Sequence, residues 1–156
     1  MDNGSRVLTR PQQAAVARYD RTTIALHWAT AILVVLLYGI AQGRGFTANG
    51  SWLRGPLLNT HVSLGVLLAG VLALRVVWRL GVGRRLRPVV AGALGRAAES
   101  VHHLLYALLL AVVPLGFCLR WSQGRTPNLF GYFPIPSPFH LTKADENLFF
   151  QMHWWV

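Results

Sequence analysis

The sequence contains a single cysteine, Cys118, among its 156 residues. One thiol cannot form an internal disulfide, a C-x-x-C metal site or the C-x-x-C-H motif that attaches haem covalently. Iron–sulfur clusters, which are held by several thiolates, are excluded for the same reason. Any haem in this chain must therefore be bound without a covalent link to cysteine.

Charge is scarce as well. Only 13% of the residues are charged, with five acidic side chains in the whole chain, whereas 53% are hydrophobic. A soluble domain usually carries about 25% charged residues. The shortage of charge indicates that lipid is the solvent for much of the chain.

Almost all of the positive charge is arginine. The chain has fifteen basic residues, of which only Lys143 is a lysine, and its formal net charge is +10. Binding to nucleic acid typically uses a basic stripe or patch on one face. Here the arginines stand between apolar runs without interleaved aromatics, so we expect no nucleic-acid partner and a role in membrane orientation instead.

Three apolar runs, Ile24–Ala41, His61–Trp78 and Val101–Leu119, are each close to the length that crosses a ~30 Å hydrocarbon core. The first also resembles a signal peptide, but it is longer than a usual h-region and has no clear small-residue cleavage site. Leu148 to Phe150 then open a further helix. The sequence therefore predicts an all-α integral membrane bundle of three transmembrane helices plus the start of a fourth.

This pattern divides the chain into a cytoplasmic tail, residues 1–21, and one membrane domain, residues 22–156, with Thr22 or Thr23 as candidate N-cap. The tail and the basic region 75–96 hold ten of the fifteen basic residues. Lysine and arginine favour cytoplasmic loops. We therefore expect a cytoplasmic N-terminus, an inner loop over residues 81–99, and outer loops over residues 42–60 and 120–147. The loop over residues 120–147 contains four prolines and is predicted to be non-helical.

Four histidines, His27, His61, His103 and His153, stand near the ends of apolar segments. In this topology His61 and His153 lie at similar depth near the outer face, and His27 lies near the inner face. Two imidazoles from two helices at one depth suit the axial positions of a haem iron. Taken alone, each histidine is more typical of an interfacial aromatic belt than of a ligand, as the neighbouring Trp28 illustrates. The matched depth favours ligands.

The other histidines are weaker candidates. His102 and His103 are predicted to begin the third helix on the cytoplasmic side, where one of them faces His27 or a haem propionate, or where both are simply interfacial. His140 follows the prolines of the outer loop and is predicted to be a surface residue.

Short motifs follow one another in a characteristic order and spacing. They are IALHW (24–28), RGF (44–46), HVSLG (61–65), RVVWR (75–79), HLLY (103–106), PLG (114–116), FG (130–131) and MH (152–153). In this order they resemble the bacterial cytochrome b561 family of four-helix di-haem membrane proteins, and within it the superoxide oxidases. The resemblance runs from about Arg18 to the end of the chain.

The resemblance implies two b-type haems, each held by two histidines. His27, His61 and His153 match three of the four iron ligands, with His61 and His153 forming the outer pair. The family's fourth ligand stands about four helical turns after the position of His153 and pairs with His27, whereas this sequence ends three residues after His153. We therefore expect a C-terminally incomplete domain whose inner haem lacks a ligand: a truncated product, an incomplete sequence, or a bundle completed by another subunit.

The same resemblance implies a function in the bacterial inner membrane: single-electron transfer between haem b and the quinone pool, with ubiquinone as the acceptor. In the superoxide-oxidase branch, superoxide is oxidised at the outer face, and basic residues there steer the anion. The outer-loop candidates are Arg44, Arg54, Arg120, Arg125 and Lys143. Two alternatives stay open: a cytochrome b relay subunit of a hydrogenase or formate dehydrogenase, and a non-functional fragment. No catalytic residue is assigned.

Overall fold

The computed structural model of the chain describes residues 19–82 and 92–156. Their four α-helices are α1 (Arg21–Phe46), α2 (Arg54–Gly81), α3 (Gly92–Ser122) and α4 (Glu146–Trp155), and a 3-10 turn over Lys143–Asp145 precedes α4. The first three have 26, 28 and 31 residues and are long and apolar enough to cross a membrane. The predicted all-α bundle, with three crossings and a short fourth helix, is confirmed.

The helices extend well beyond the apolar runs that predicted them. Helix α2 begins at Arg54 rather than at His61, and α3 begins at Gly92 rather than at Val101. The predicted outer loop over residues 42–60 therefore shrinks to residues 47–53, and much of the predicted inner loop is helical. Hydropathy marks only the lipid-facing middle of a helix, whereas the polar ends continue the same backbone hydrogen bonds.

Two predicted features fall outside the described residues. They are most of the cytoplasmic tail, residues 1–18, and the most basic part of the inner loop, residues 83–91, which includes Arg84, Arg85 and Arg87.

The N-cap of α1 is Asp20, not the predicted Thr22 or Thr23. Its carboxylate accepts hydrogen bonds from the Thr23 backbone N–H at 2.8 Å and from the Thr23 hydroxyl at 2.7 Å. The Trp78 indole donates to Asp20 Oδ1 and to Thr23 Oγ1, both at 3.2 Å. The end of α2 is thereby tied to the start of α1, and the two helices form an antiparallel hairpin.

The core lies between α1 and α2. Its buried members are Leu33, Leu37, Leu68 and Leu72. Helix α3 adds partly buried side chains to this cluster, Leu109 and Val113. Many other large apolar side chains of the long helices are exposed, for example Val35 at 69% and Val77 at 68%, and the remainder are half-buried. An apolar surface of this extent is expected where lipid covers it.

The connection from α3 to α4 is non-helical over residues 123–142, as its prolines predicted. It contains two short antiparallel strands, β1 (Asn128–Leu129) and β2 (Phe133–Pro134). The turn between them places Phe130 and Gly131 at positive φ, 51° and 89°. We call the end of the bundle that carries residues 47–53 and 123–142 the upper end, and the opposite end the lower end.

Candidate functional site

The structure brings two of the three candidate ligands together. His61 lies seven positions after the first residue of α2, and His153 lies seven positions after the first residue of α4. Because both helices start at the upper end, the two imidazoles reach the same depth. Their ring centroids are 6.3 Å apart and their planes are nearly perpendicular, at 88°.

Each ring is fixed by a hydrogen bond to the helix next to it. His61 Nδ1 donates to the Leu37 carbonyl of α1 at 3.1 Å, and His153 Nδ1 donates to the Val112 carbonyl of α3 at 3.0 Å. Since a carbonyl oxygen can only accept, Nδ1 carries the hydrogen in both rings, and the neutral Nε2 keeps its lone pair. Metal-ligating histidines are usually held in this way.

The pair has the donor set and spacing that suit a haem iron. Two imidazoles on opposite sides of one metal have ring centroids roughly 6 Å apart, because each metal–nitrogen bond is about 2 Å long. In addition, a Cβ at Gly116 would stand only 3.1 Å from His153 Cε1, so the Cε1 side of the ring closely approaches α3 at a residue that has no side chain. Within residues 19–82 and 92–156 no group of three or more His, Cys, Asp or Glu converges, whereas a haem needs only two protein ligands.

His27 is near the lower end, in a different arrangement. It is exposed on α1, with the Trp28 ring against it at a centroid distance of 5.9 Å. Arg75 Nη2 donates to His27 Nδ1 at 3.2 Å, and the same guanidinium lies 5.2 Å from the centre of the Tyr106 ring. An Nδ1 that accepts leaves the hydrogen of a neutral ring on Nε2. This tautomer is the reverse of the one at the upper pair.

The remaining histidines lie away from both the His61–His153 pair and His27. His102 and His103 are exposed and lie well inside α3 rather than at its start, contrary to prediction. His102 Nδ1 donates to the Ala98 carbonyl of its own helix at 2.7 Å. His140 is exposed in the connection between α3 and α4, as predicted.

The basic residues of the upper end differ in what they contact. Arg54 donates to the Thr47 carbonyl at 2.7 Å, and so binds the C-terminal cap of α1. Arg44 and Arg120 each have a buried Nε with no hydrogen-bond partner among the described residues. All three belong to helices rather than to the loops predicted from the sequence. Two half-buried arginines near this end thus each keep a buried Nε donor that is unused among the described residues.

Two cavities open at the upper end. One, of about 600 Å³, is lined by three cations, Arg120, Arg125 and Lys143, and by one carboxylate, Glu146. The other, of about 560 Å³, is lined by polar side chains such as Asn59, Thr60 and Arg120 together with apolar ones such as Val62 and Phe130. Arg120 belongs to both linings.

Sequence reasoning missed Ser63. Its buried hydroxyl accepts from the Phe130 backbone N–H at 3.1 Å and donates to the Asn128 carbonyl at 3.4 Å. It thereby fixes the turn of the upper connection two positions from His61. The available signal was a hydroxyl inside an apolar helix, because a polar group at that depth needs a partner.

The similarity of this chain to known proteins covers all four helices. The family model described as prokaryotic cytochrome b561 matches residues 18–156. Cytochrome b561 homolog 2 of Escherichia coli (strain K12) is 28% identical over 142 residues, which cover 89% of this chain and 74% of that protein. Cytochrome b561 homolog 1 of the same strain is 27% identical over 121 residues, covering 76% of this chain and 68% of that protein.

Proposed function

This chain belongs to the prokaryotic cytochrome b561 family, and we propose that it holds a haem b between His61 and His153 and exchanges single electrons with the quinone pool. Membership makes it a multi-pass membrane b-type cytochrome of electron transfer. The observation that carries the proposal is the pairing of the two rings, whose centroids are 6.3 Å apart. In each ring Nδ1 donates a hydrogen bond to a carbonyl, and Nε2 keeps a lone pair that can bind iron.

When bound, haem supplies a centre that takes up and releases one electron, and its potential depends on its axial ligands and their hydrogen bonds. The chain's own residues orient and tune those ligands. The Leu37 and Val112 carbonyls hold the two rings in one tautomer and make each imidazole a stronger ligand.

We propose His27 as a ligand of a second haem at the lower end, as the family resemblance suggests. Binding through Nε2 requires the ring hydrogen to move to Nδ1, where Arg75 now donates. The guanidinium must therefore turn away when that site is filled. Tyr106, already beside Arg75, offers it a cation–π contact that does not involve the histidine.

The charge of the upper end supports superoxide as the electron donor. Arg44 and Arg120 have unused buried donors, and Arg120, Arg125 and Lys143 face one cavity against a single carboxylate. A cleft lined by one sign of charge attracts small anions. The distribution of arginine supports a cytoplasmic lower end in a bacterial inner membrane, with the upper end facing outward.

The haem assignment is tested by spectra of the purified protein. We expect a b-type reduced-minus-oxidised spectrum whose upper-haem contribution is lost in His61→Ala and in His153→Ala, so that each variant contains less haem than the wild type. His140→Ala, which removes an exposed histidine of the same end, is the matched control and should keep the wild-type haem content. Wild-type haem content in His61→Ala would contradict the assignment.

The donor is tested separately. Superoxide-driven reduction of ubiquinone should slow as ionic strength rises, because salt screens the attraction between the cavity and the anion. Arg120→Gln should slow the reaction, whereas Arg79→Gln at the lower end should not. Haem-containing protein that reduces no quinone with superoxide supports the relay-subunit alternative instead.

A further inference from the structure

We propose that Gly116 is the residue that sets the position and the plane of the His153 imidazole. The inference deepens the proposed function, and rests on it for the role of His153 as an iron ligand. The three heavy atoms nearest to a Cβ added at Gly116 all belong to the ring, so Gly116 is a positioning residue that acts through the ligand.

The ring lies directly on the glycine. A Cβ at position 116 would stand 3.1 Å from His153 Cε1, 3.5 Å from Nδ1 and 3.8 Å from Nε2. Ordinary contacts between carbon atoms are about 3.5–4.0 Å. A methyl group at this position therefore has room only if the ring moves away by a few tenths of an ångström.

The ring is not free to move, because the same helix face holds it at a second point. Val112 and Gly116 are four positions apart on α3 and so lie one above the other. His153 Nδ1 donates to the Val112 carbonyl at 3.0 Å. A displacement that relieves contact with a Cβ at 116 lengthens or bends this hydrogen bond. The bare glycine and the carbonyl together form the seat of the ring.

This seat is particular to one of the two candidate ligands. The helical glycines that the structure describes in α1 and α2, such as Gly39, Gly65 and Gly70, have nothing within 4 Å of an added Cβ. Gly65 lies one turn after His61, yet the His61 ring does not rest on it. Unlike these glycines of α1 and α2, Gly116 of α3 faces an imidazole.

The seat also fixes the angle between the two rings. The planes of His61 and His153 stand at 88°. In a bis-imidazole haem, this angle governs the anisotropy of the low-spin iron signal in electron paramagnetic resonance. A ring pushed off its seat by a methyl group changes that angle, and the changed Nδ1 hydrogen bond alters the basicity of Nε2 and with it the midpoint potential.

The test compares Gly116→Ala with Gly70→Ala in the full chain. Gly70 is an exposed glycine of α2, nine positions from His61 and thus on the opposite side of that helix. Both changes replace a helical glycine with a better helix former, so neither should reduce the helix content. For Gly116→Ala we expect about a tenfold loss of haem affinity, as for other partners of a metal-bound histidine, together with an altered low-spin signal and a shifted midpoint potential. Gly70→Ala should match the wild type in all three.

The proposal is overturned if Gly116→Ala has the haem affinity, signal and potential of Gly70→Ala. It is also overturned if Gly116→Ala alone fails to accumulate as folded protein, since the glycine would then serve helix packing rather than the ring. If the wild type binds no haem, the proposed function fails, but the seat is still tested. The ¹⁵N chemical shift of His153 Nδ1 then reports the bond to Val112, which should weaken in Gly116→Ala and remain in Gly70→Ala.

Discussion

At the scale of single residues, the hydrogen bond made by Nδ1 distinguishes the three candidate histidines more clearly than their positions in the sequence do. His61 and His153 donate to carbonyls of neighbouring helices, whereas His27 accepts from Arg75. Only the first arrangement leaves Nε2 of a neutral ring with a free lone pair. The sequence shows all three histidines at helix ends, but it cannot show which group each Nδ1 meets.

Asp145 gives a prediction about pH at the start of α4. Its carboxylate accepts from the Thr142 backbone N–H and hydroxyl, both at 2.9 Å, and these bonds lower the pKa of Asp145 below its usual value. A carboxylate whose pKa is lower in the folded than in the unfolded protein stabilises the fold at pH values above its unfolded pKa, which is near 4. This stabilisation is lost as the pH falls through the pKa of the folded state. Thermal unfolding in detergent between pH 6 and pH 3 should therefore depend less on pH in Asp145→Asn than in the wild type.

Glu99→Gln is the control for this change, since it removes an exposed carboxylate from α3. Its pH profile should follow the wild type. Parallel profiles for Asp145→Asn and the wild type would show that the Thr142 bonds do not stabilise the fold.

At the scale of elements, Trp78 joins the end of α2 to the start of α1. Its indole N–H donates to both Asp20 and Thr23 at 3.2 Å. Trp78→Phe keeps most of the apolar ring and removes the donor, and we expect a loss of about 1 kcal/mol in the free energy of unfolding. The measurement is unfolding in mixed detergent micelles.

Trp52→Phe serves as its reference, because Trp52 is 80% exposed in the connection between α1 and α2. That variant should unfold like the wild type. Equal stability of the two variants would mean that the indole bonds contribute nothing measurable to the hairpin.

The helices themselves were largely predictable, and their ends were not. Apolar runs located the three long helices because lipid exposure demands continuous hydrophobicity. They did not reveal that α2 starts at Arg54, where the Arg54 side chain binds the Thr47 carbonyl at the cap of α1. In a hydropathy pattern, such polar helix ends cannot be distinguished from loops. The cap residue Asp20 also accepts a hydrogen bond from a tryptophan 58 positions away, which no local pattern indicates.

The site was predictable to a similar degree. The order of the helices implied that His61 and His153 share one depth, since both helices start at the same face. Rotation of each helix about its axis is set by packing, which no spacing rule supplied. The seat at Gly116 and the buried hydroxyl of Ser63 therefore became visible only in the structure.

At the scale of the whole molecule, the histidine pair stands where two hairpins meet. The buried leucines lie between α1 and α2, and α3 contributes only partly buried residues to that cluster. His61 is bonded to α1 within the first hairpin, and His153 to α3 within the second. Two ligands of one iron at these positions would join the α1–α2 hairpin to the α3–α4 hairpin. Cofactor binding would then stabilise the bundle as well as provide its redox centre.

The most direct test of this account is pulsed electron paramagnetic resonance of the oxidised protein labelled with ¹⁵N-histidine. We predict a low-spin haem whose iron is coupled to two labelled imidazole nitrogens. That signal should persist in His27→Ala and disappear in both His61→Ala and His153→Ala. A signal from two imidazoles that survives in both of the latter variants would contradict the central claim that these two histidines hold the haem.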